Sequence, residues 1–291
     1  MRHFLYFHLM NTKTAFPTLG IDAFDSSAES GYKLLRHEVD GKSRIDKPHK
    51  HDFFMLFVVK KGGGTHSIDF TDYAVEDAQV HLLFPGQVHR WELDEGTSGF
   101  QLMVGRRAFE TSSNFLRLSF ISYRNHPVIN LPQPVFRALC YELEALEPEL
   151  DAAAVDWEMV QLRSRVALQL VSREAERIYE DIGTYRANPI LFKYHALVDT
   201  HFKTHKTVAF YADHLNISPN YLNILCKRHL YVPATFLIHN RVGLEAKRLL
   251  LVSGKSAKEI AFELGFSDLP HFSNFFKAQT GLSPRAFRNS L

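Results

Sequence analysis

The spacing of hydrophobic residues changes twice along the chain. Between residues 32 and about 104 the apolar positions alternate or run in short blocks, as in "DFFMLFVVK", "THSIDF", "AQVHLLF" and "GFQLMV", with turns at Gly62-Gly63-Gly64 and Pro85-Gly86. Many short strands with no helix between them predict an antiparallel barrel or sandwich. From Pro134 the period becomes helical, and "PVFRALCYELEALE" and "DWEMVQLRSRVALQLVSREAERIYEDI" predict two amphipathic helices packed as a hairpin. Trp157, Val160, Leu162, Val166, Leu170 and Ile178 mark an apolar stripe on the second helix, which either covers the barrel or meets a second copy of the chain. The Gly, Asn and Pro of "GTYRANPI" then end the helical hairpin.

Beyond that point short helices come in pairs. In "KEIAFELGFSDLPHFSNFFKAQTGLSP", residues 258–284, Ile260, Ala261 and Leu264 fall at helical spacing and Gly265-Phe266-Ser267 interrupts them. A second short helix then carries Phe272, Phe275 and Phe276 on one face, with Ser273, Asn274 and Lys277 elsewhere. "TVAFYADHLNISPNYLNILCKRHLYVP" repeats the design. Ala209, Ala212 and Leu215 mark its first helix, Asn216-Ile217-Ser218 its turn, and Tyr221, Leu222 and Leu225 the inner face of its second helix. Ser218 and Ser267 or Asp268 stand as caps, with Pro219 in the first turn. Helix, tight turn and helix is the sequence form of a helix-turn-helix. Between the copies, "ATFLIHNRVGLEAKRLLLVSG" predicts a helix of ~19 residues, ~28 Å long. That length brings the two units toward the ~34 Å repeat of a DNA groove.

Charge sharpens this picture. The chain of 291 residues is 45% apolar and carries a formal net charge of only +2, yet residues 184–291 hold 14 Lys+Arg against 6 Asp+Glu, net +8, and residues 1–183 hold 20 against 26, net −6. A basic module beside an acidic one predicts a polyanion partner on one side only. Cys140 and Cys226 lie far apart with no C-x-x-C spacing, which predicts neither a disulfide framework nor a zinc ribbon and fits a reduced, cytoplasmic setting. "MRHFLYFHLMNTKTAF" lacks the pattern of a leader, and Met10 is an alternative start to Met1. No stretch reaches the ~18 apolar residues of a membrane helix, so no membrane partner is expected.

Residues 190–291 resemble the DNA-binding domain of the AraC/XylS family of bacterial transcription regulators. "IAFELGFSDLPHFSNFFKAQTGLSPRAFR" carries the likeness: Ile-Ala, Gly-Phe, a helix ending Phe-Lys, then Gly, Pro and a closing aromatic-Arg pair, here Phe287-Arg288. In the first copy Cys226 replaces the usual Phe and Tyr231 the usual Gly, which predicts a different end to that unit's second helix. The resemblance implies that Asn220, Asn223 and Ile224 in the first unit, and Leu269, His271 and Asn274 in the second, read base edges in the major groove. Lys227, Lys277, Arg285 and Arg288 are assigned to phosphates.

The N-terminal part resembles the regulatory half of the same family, a cupin-like β-barrel, through "PHKHDFFMLFVV" and "FPGQVHRWEL". His49, His51 and His89 match three ligand positions of metal cupins, but Met55 stands where the carboxylate belongs. Period two places His49, His51, Phe53, Met55 and Phe57 on one strand face. With His89 and Trp91 they form the expected ligand pocket, and neither a metal nor another cofactor is expected.

These readings give an α+β chain with three segments: an effector-binding barrel over 1–133, a dimerising helical hairpin over 134–183, and an all-α domain with two helix-turn-helix units over 184–291. The expected function is sequence-specific DNA binding by an effector-responsive activator, a homodimer acting on operator DNA, with RNA polymerase the further partner the resemblance implies. The alternatives are a metal-dependent cupin enzyme with an accessory helical domain and an architectural DNA-binding protein. No Gly-rich phosphate loop, G-x-S-x-G elbow or H-E-x-x-H motif supports a catalytic role.

Overall fold

A computed structural model describes residues 18–21, 31–40, 43–109, 123, 125–180, 182, 184 and 188–290. The chain forms two compact units, Pro17–Ile182 and Gly183–Leu291. The N-terminal unit is β-rich with two long helices and the C-terminal unit is helical, an α+β organisation. No helix among the described residues is long and apolar enough to cross a membrane. Met1 to Phe16, and with them the two alternative starts, lie outside the described residues.

Ten strands are found among the described residues of the first unit: β1 (Thr18–Leu19), β2 (Tyr32–Glu38), β3 (Ser43–His51), β4 (Phe54–Lys61), β5 (Gly64–Ile68), β6 (Thr71–Ala74), β7 (Gln79–Leu83), β8 (Val88–Leu93), β9 (Ser98–Val104) and β10 (Val128–Asn130). They pair as two five-stranded sheets, β1-β3-β8-β5-β6 and β10-β7-β4-β9-β2, instead of closing into one barrel. Every pairing is antiparallel except that of β1 with β3. Strand β4 is buried on both faces, which explains why its sequence runs apolar without a break. Phe54, Leu56 and Val58 join the core beneath the helices, whereas Met55, Phe57 and Val59 point between the sheets beside Trp91, Leu83 and Met103.

Helices α1 (Gln133–Leu150) and α2 (Trp157–Ile178) cover the second sheet. Asp156 caps α2 by accepting from Glu158 N and Met159 N, each at 3.1 Å. Val160, Ala167, Leu168, Val171 and Ala175 of α2 are buried with Phe136, Leu139, Leu143 and Leu146 of α1. Arg36 of β2 donates to Glu147 at 2.8 Å and Lys60 of β4 to Glu144 at 2.6 Å, tying the sheet to α1. Only part of the α2 stripe therefore serves the core. Val160 is sealed and Leu170 half-buried, but Trp157, Leu162, Val166 and Ile178 are 40–49% exposed, and Met159 is 37% exposed.

The C-terminal unit contains α3 (Pro189–His201), α4 (Val208–His214), α5 (Pro219–Leu230), α6 (Ala234–Val252), α7 (Ala257–Glu263), α8 (Leu269–Thr280) and α9 (Pro284–Asn289). One core joins Tyr194, Tyr211, Leu222, Cys226, Ile238, Ile260, Phe272 and Phe276. Arg241 of α6 bonds Asp199 of α3 at 2.8 Å and Glu245 of its own helix at 2.9 Å, and lies 3.9 Å from the centre of the Phe202 ring.

Candidate nucleic-acid interface and buried histidine cluster

The two helix-turn-helix units, α4–α5 and α7–α8, share the hydrogen bond that closes the turn and a side-chain cap on the second helix, although Ser256 and Glu259 form a capping box on α7 and Thr207 makes no side-chain cap on α4. In the first, Ile217 N donates to Ala212 O at 3.0 Å around Asn216, whose φ is 54°. In the second, Phe266 N donates to Ala261 O at 2.9 Å around Gly265, whose φ is 74°. Asn tolerates the left-handed conformation better than most residues, so the first turn manages without glycine. The second has no such freedom: a Cβ on Gly265 would stand 2.1 Å from Lys203 O. Ser218 caps α5 by accepting from Tyr221 N at 3.1 Å, and Asp268 caps α8 by accepting from His271 N at 2.7 Å. Leu222 and Cys226 in α5 take the buried places of Phe272 and Phe276 in α8, all fully enclosed.

Burial divides the residues assigned to DNA. Asn220, Lys227, His271, Asn274, Lys277 and Arg285 are exposed, and Ile224 is 46% exposed. Leu269 is half-buried against the core at the start of α8. Asn223 is half-buried too, and its Oδ1 accepts from Ala234 N at 3.1 Å, so its carbonyl fixes the start of α6. Arg288 also has internal work: its guanidinium donates to Leu250 O at 3.1 Å and to Lys255 O at 2.6 Å, holding α9 against the end of α6. Motif position alone points both residues at DNA, whereas the structure gives them partners inside the domain. Tyr221 moves the other way. Expected on the inner face of α5, it is 45% exposed, because Leu222 and Cys226 already fill that face.

The interior of the β-unit is unusually polar. His37, His49, His51, His66, His81 and His89 are all buried there, with Gln79, Gln101 and Trp91. His49 and His51 end β3, and the chain crosses to the other sheet before β4 begins, so Met55 and Phe57 share the interior with them but not the strand. The single strand face expected for these residues is thus divided between two sheets. His49 pairs across the ladder with His89 of β8. The nitrogens of His49, His51 and His89 that face one another all lie within 4.8 Å. His51 stacks on Phe53 with ring centres 4.4 Å apart. Burial, before the neighbouring imidazoles, holds His51, His66 and His89 well below the usual histidine range and pushes His81 down to about 3. The rings are therefore neutral at physiological pH. The indole Nε1–H of Trp91 is buried and meets no acceptor among the described residues.

Residues 211–290 match a helix-turn-helix domain family, and residues 33–155 match the AraC-like ligand binding domain family. The two matches lie in the order of the two compact units and together span well over half of the chain. The chain belongs to the AraC family of transcription regulators. The HTH-type transcriptional activator RhaS of Klebsiella pneumoniae (strain 342) is 27% identical over 255 residues, 82% of this chain and 86% of that protein. The HTH-type transcriptional regulator YfiF of Bacillus subtilis (strain 168), described as uncharacterized, is 23% identical over 252 residues, 83% of this chain and 78% of its own length. Among solved structures, ToxT from Vibrio cholerae O395 aligns over 90% of this chain and 99% of its own at 14% identity, with a TM-score of 0.45.

In this AraC family regulator the DNA-binding module is the helical unit and the ligand-binding module is the β-unit. Aligning the two units on their buried residues pairs Leu222 with Phe272, and hence Tyr221 with His271 and Ile224 with Asn274. That internal alignment is the signal that would have moved Tyr221 to the exposed face.

Proposed function

We propose that the protein is an effector-responsive transcriptional activator whose α5 and α8 enter successive major grooves on one face of an operator. The observation that carries this reading is the pair of like-built helix-turn-helix units, each with an exposed polar second helix, joined by the 19-residue α6. Asn274 and His271 in α8, and Asn220, Tyr221 and Ile224 in α5, read base edges. Lys227, Lys277 and Arg285 neutralise phosphates. Activator polarity is supported by the name of the RhaS relatives, and RNA polymerase is then the protein partner. A cytoplasmic, non-enzymatic role follows from the same reading.

The effector binds between the two sheets, where Trp91 offers a buried N–H to a small molecule that carries a hydrogen-bond acceptor among apolar groups. Occupancy biases regulation only if it favours one arrangement of the protein over another. The chain pairs with its own copy through Met159, Leu162 and Val166, which recur at i, i+3 and i+7 on the outward side of α2. A helical seam at that spacing is the kind that packs against a second helix, and about a twofold axis it would meet its own copy. Selection of tight-binding sites from random duplex DNA by the full chain tests the core of this reading. The expected consensus has two conserved blocks spaced by about one helical turn, ~10.5 base pairs. Recovery of no consensus would point to the architectural alternative.

A further inference from the structure

We propose that residues 203–206, in the loop between α3 and α4, brace the two helix-turn-helix units directly, and that Lys206 is the positioning residue that sets which spacing between operator half-sites the protein accepts. The part that concerns spacing rests on the reading that both units engage one operator. The brace itself does not.

The loop is anchored in the first unit through His205. Tyr211 of α4, fully buried, donates its hydroxyl to His205 O at 2.7 Å, and the His205 ring stacks on Phe210 with centres 3.6 Å apart. The residues on either side of His205 hold the second unit. Lys206 Nζ donates to Gly265 O, in the turn between α7 and α8, at 3.2 Å, and to Lys203 O at 2.9 Å. The same ammonium lies 4.9 Å from the centre of the Phe266 ring. Phe266 in turn packs against His271, Phe272 and Phe275 of α8. Lys203 Nζ adds an ion pair to Glu263, at the end of α7, at 3.0 Å. Gly265 permits this approach, because a Cβ there would stand 2.1 Å from Lys203 O.

These contacts differ in weight. The Lys203–Glu263 pair is partly exposed, and such pairs contribute little. Lys206 is half-buried, and its ammonium meets two backbone carbonyls and an aromatic face, contacts strengthened by the charge. The two units also share an apolar core around α6. Apolar packing is non-directional, so it stabilises the pair without fixing a single angle between them. Hydrogen bonds to two carbonyls are directional, and one of these carbonyls lies in the turn that aims α8. Lys206 touches no base in this scheme. It acts through Gly265 and Phe266 on the placement of α8 relative to α5.

The test compares the full chain with Lys206→Met, which keeps the length of the side chain and removes its donors. In DNA-free protein, spin labels on Arg228→Cys in α5 and Ala278→Cys in α8 report the distance between the two helices. Both positions are exposed and the native Cys140 and Cys226 are buried, so labelling is selective, and dilution with unlabelled chain keeps the measurement within one chain. The expected result is one narrow distance distribution that broadens in Lys206→Met. On the selected operator, one base pair inserted or removed between the two blocks moves the second by ~3.4 Å along the duplex and turns it by ~35°. The unaltered protein should lose roughly 10-fold or more in affinity on each altered site. Lys206→Met should lose about 3-fold or less, because its units are no longer preorganised for one spacing. Its salt slope should equal that of the unaltered protein, since the ammonium faces carbonyls and not phosphates. Should Lys206→Met fail to fold, Lys203→Met, which cuts the outer ion pair, should move both readouts in the same direction by less. An unchanged distance distribution in the folded variant would overturn the brace. An undiminished spacing penalty, or a reduced salt slope, would overturn the positioning role of Lys206. If selection returns no consensus, the spacing role falls with the operator reading, and the distance measurement alone decides the brace.

Discussion

Tyr231 and Gly281 close α5 and α8 in the same left-handed conformation, φ 58° and φ 79°, one with an aromatic side chain and the other with none. The two units thus end alike, contrary to the expectation that replacing Gly by Tyr would alter the first. Tyr231 is 89% exposed, so it gains no burial to offset the strain. A left-handed non-glycine residue costs ~1–2 kcal/mol, partly cancelled by the extra chain entropy glycine loses on folding, ~0.5–1 kcal/mol. Tyr231→Gly should therefore stabilise the protein by up to about 1 kcal/mol, read as a higher urea midpoint with an unchanged slope.

The same comparison separates two glycines. A Cβ on Gly281 meets nothing within 4 Å, so Gly281→Ala should cost only the conformational strain, about 1 kcal/mol. A Cβ on Gly265 collides with backbone, and Gly265→Ala should cost about 3 kcal/mol or more, because strain and overpacking add. Equal losses in denaturant unfolding would mean that the close approach to Lys203 O is not rigid.

Arg285 and Arg288 lie on the same short helix, but Arg285 is exposed and Arg288 half-buried. Arg285→Ala should weaken binding to every DNA sequence and flatten the dependence of affinity on salt, since one phosphate contact fewer releases fewer counterions. Arg288→Ala should instead lower stability by about 1–3 kcal/mol, because Leu250 O and Lys255 O lose a charged donor. Fluorescence anisotropy across a salt series and a denaturant melt distinguish the two. A lower salt slope for Arg288→Ala at unchanged stability would return that residue to the interface.

The helix-turn-helix units were legible because their determinants are local: turn residues, caps and a two-face helix within about 25 residues of sequence. What sequence spacing missed is set by distant partners. Asn223 fits a groove-reading position until Ala234 N claims its oxygen. In the β-unit, period two placed His51 and Met55 on one face, but the chain changes sheet between them. The hairpin from β5 to β6 carries no turn signal in the sequence, because its turn uses Asp69 and Phe70, both left-handed at φ 45° and 72°, without the usual glycine. His66 and His81 read as ordinary strand residues in "THSIDF" and "AQVHLLF", and only the meeting of two sheets puts their nitrogens 2.9 Å apart.

Glu245 gives the helical unit an acid-sensitive joint. Burial works to raise its carboxyl, but Arg241 and Arg248 together outweigh it and hold the group below the usual carboxylate range. A depressed folded-state value contributes stability that is fully present above the unfolded pKa, ~4.3, and is lost as pH falls through the folded value. Glu245→Gln should cost about 3 kcal/mol at neutral pH, since it leaves two guanidinium groups short of a partner. The gap between wild type and variant should narrow below pH ~4. Unfolding free energies measured at several pH values check this, and a constant gap would show that ionisation of Glu245 carries none of it.

Leu162 and Val166 point away from the core of their own unit at 49% and 46% exposure. Under the proposed pairing through α2, Leu162→Asp should shift the full chain from dimer to monomer in sedimentation at micromolar concentration. Stability at high dilution should change by less than ~0.5 kcal/mol, as for other exposed positions. An unchanged sedimentation coefficient would exclude this face as the seam.

Asn274 and Ile224 occupy equivalent places in α8 and α5, so the two units present different chemistry at one geometric position. An exposed Asn in the major groove pairs bidentately with adenine, whereas Ile reaches only a thymine methyl. Asn274→Ala should therefore cost ~1–3 kcal/mol on the cognate site and relax preference at one or two positions of one half-site. Ile224→Ala should cost less than Asn274→Ala and alter the other half-site. Both variants should keep the wild-type salt slope, because neither removes a charge. Competition binding against single-base variants of the selected operator reads each position separately. If Asn274→Ala lost affinity equally on cognate and random DNA while its sequence preference stayed intact, α8 would be a backbone-contacting helix and base reading would belong elsewhere on the unit.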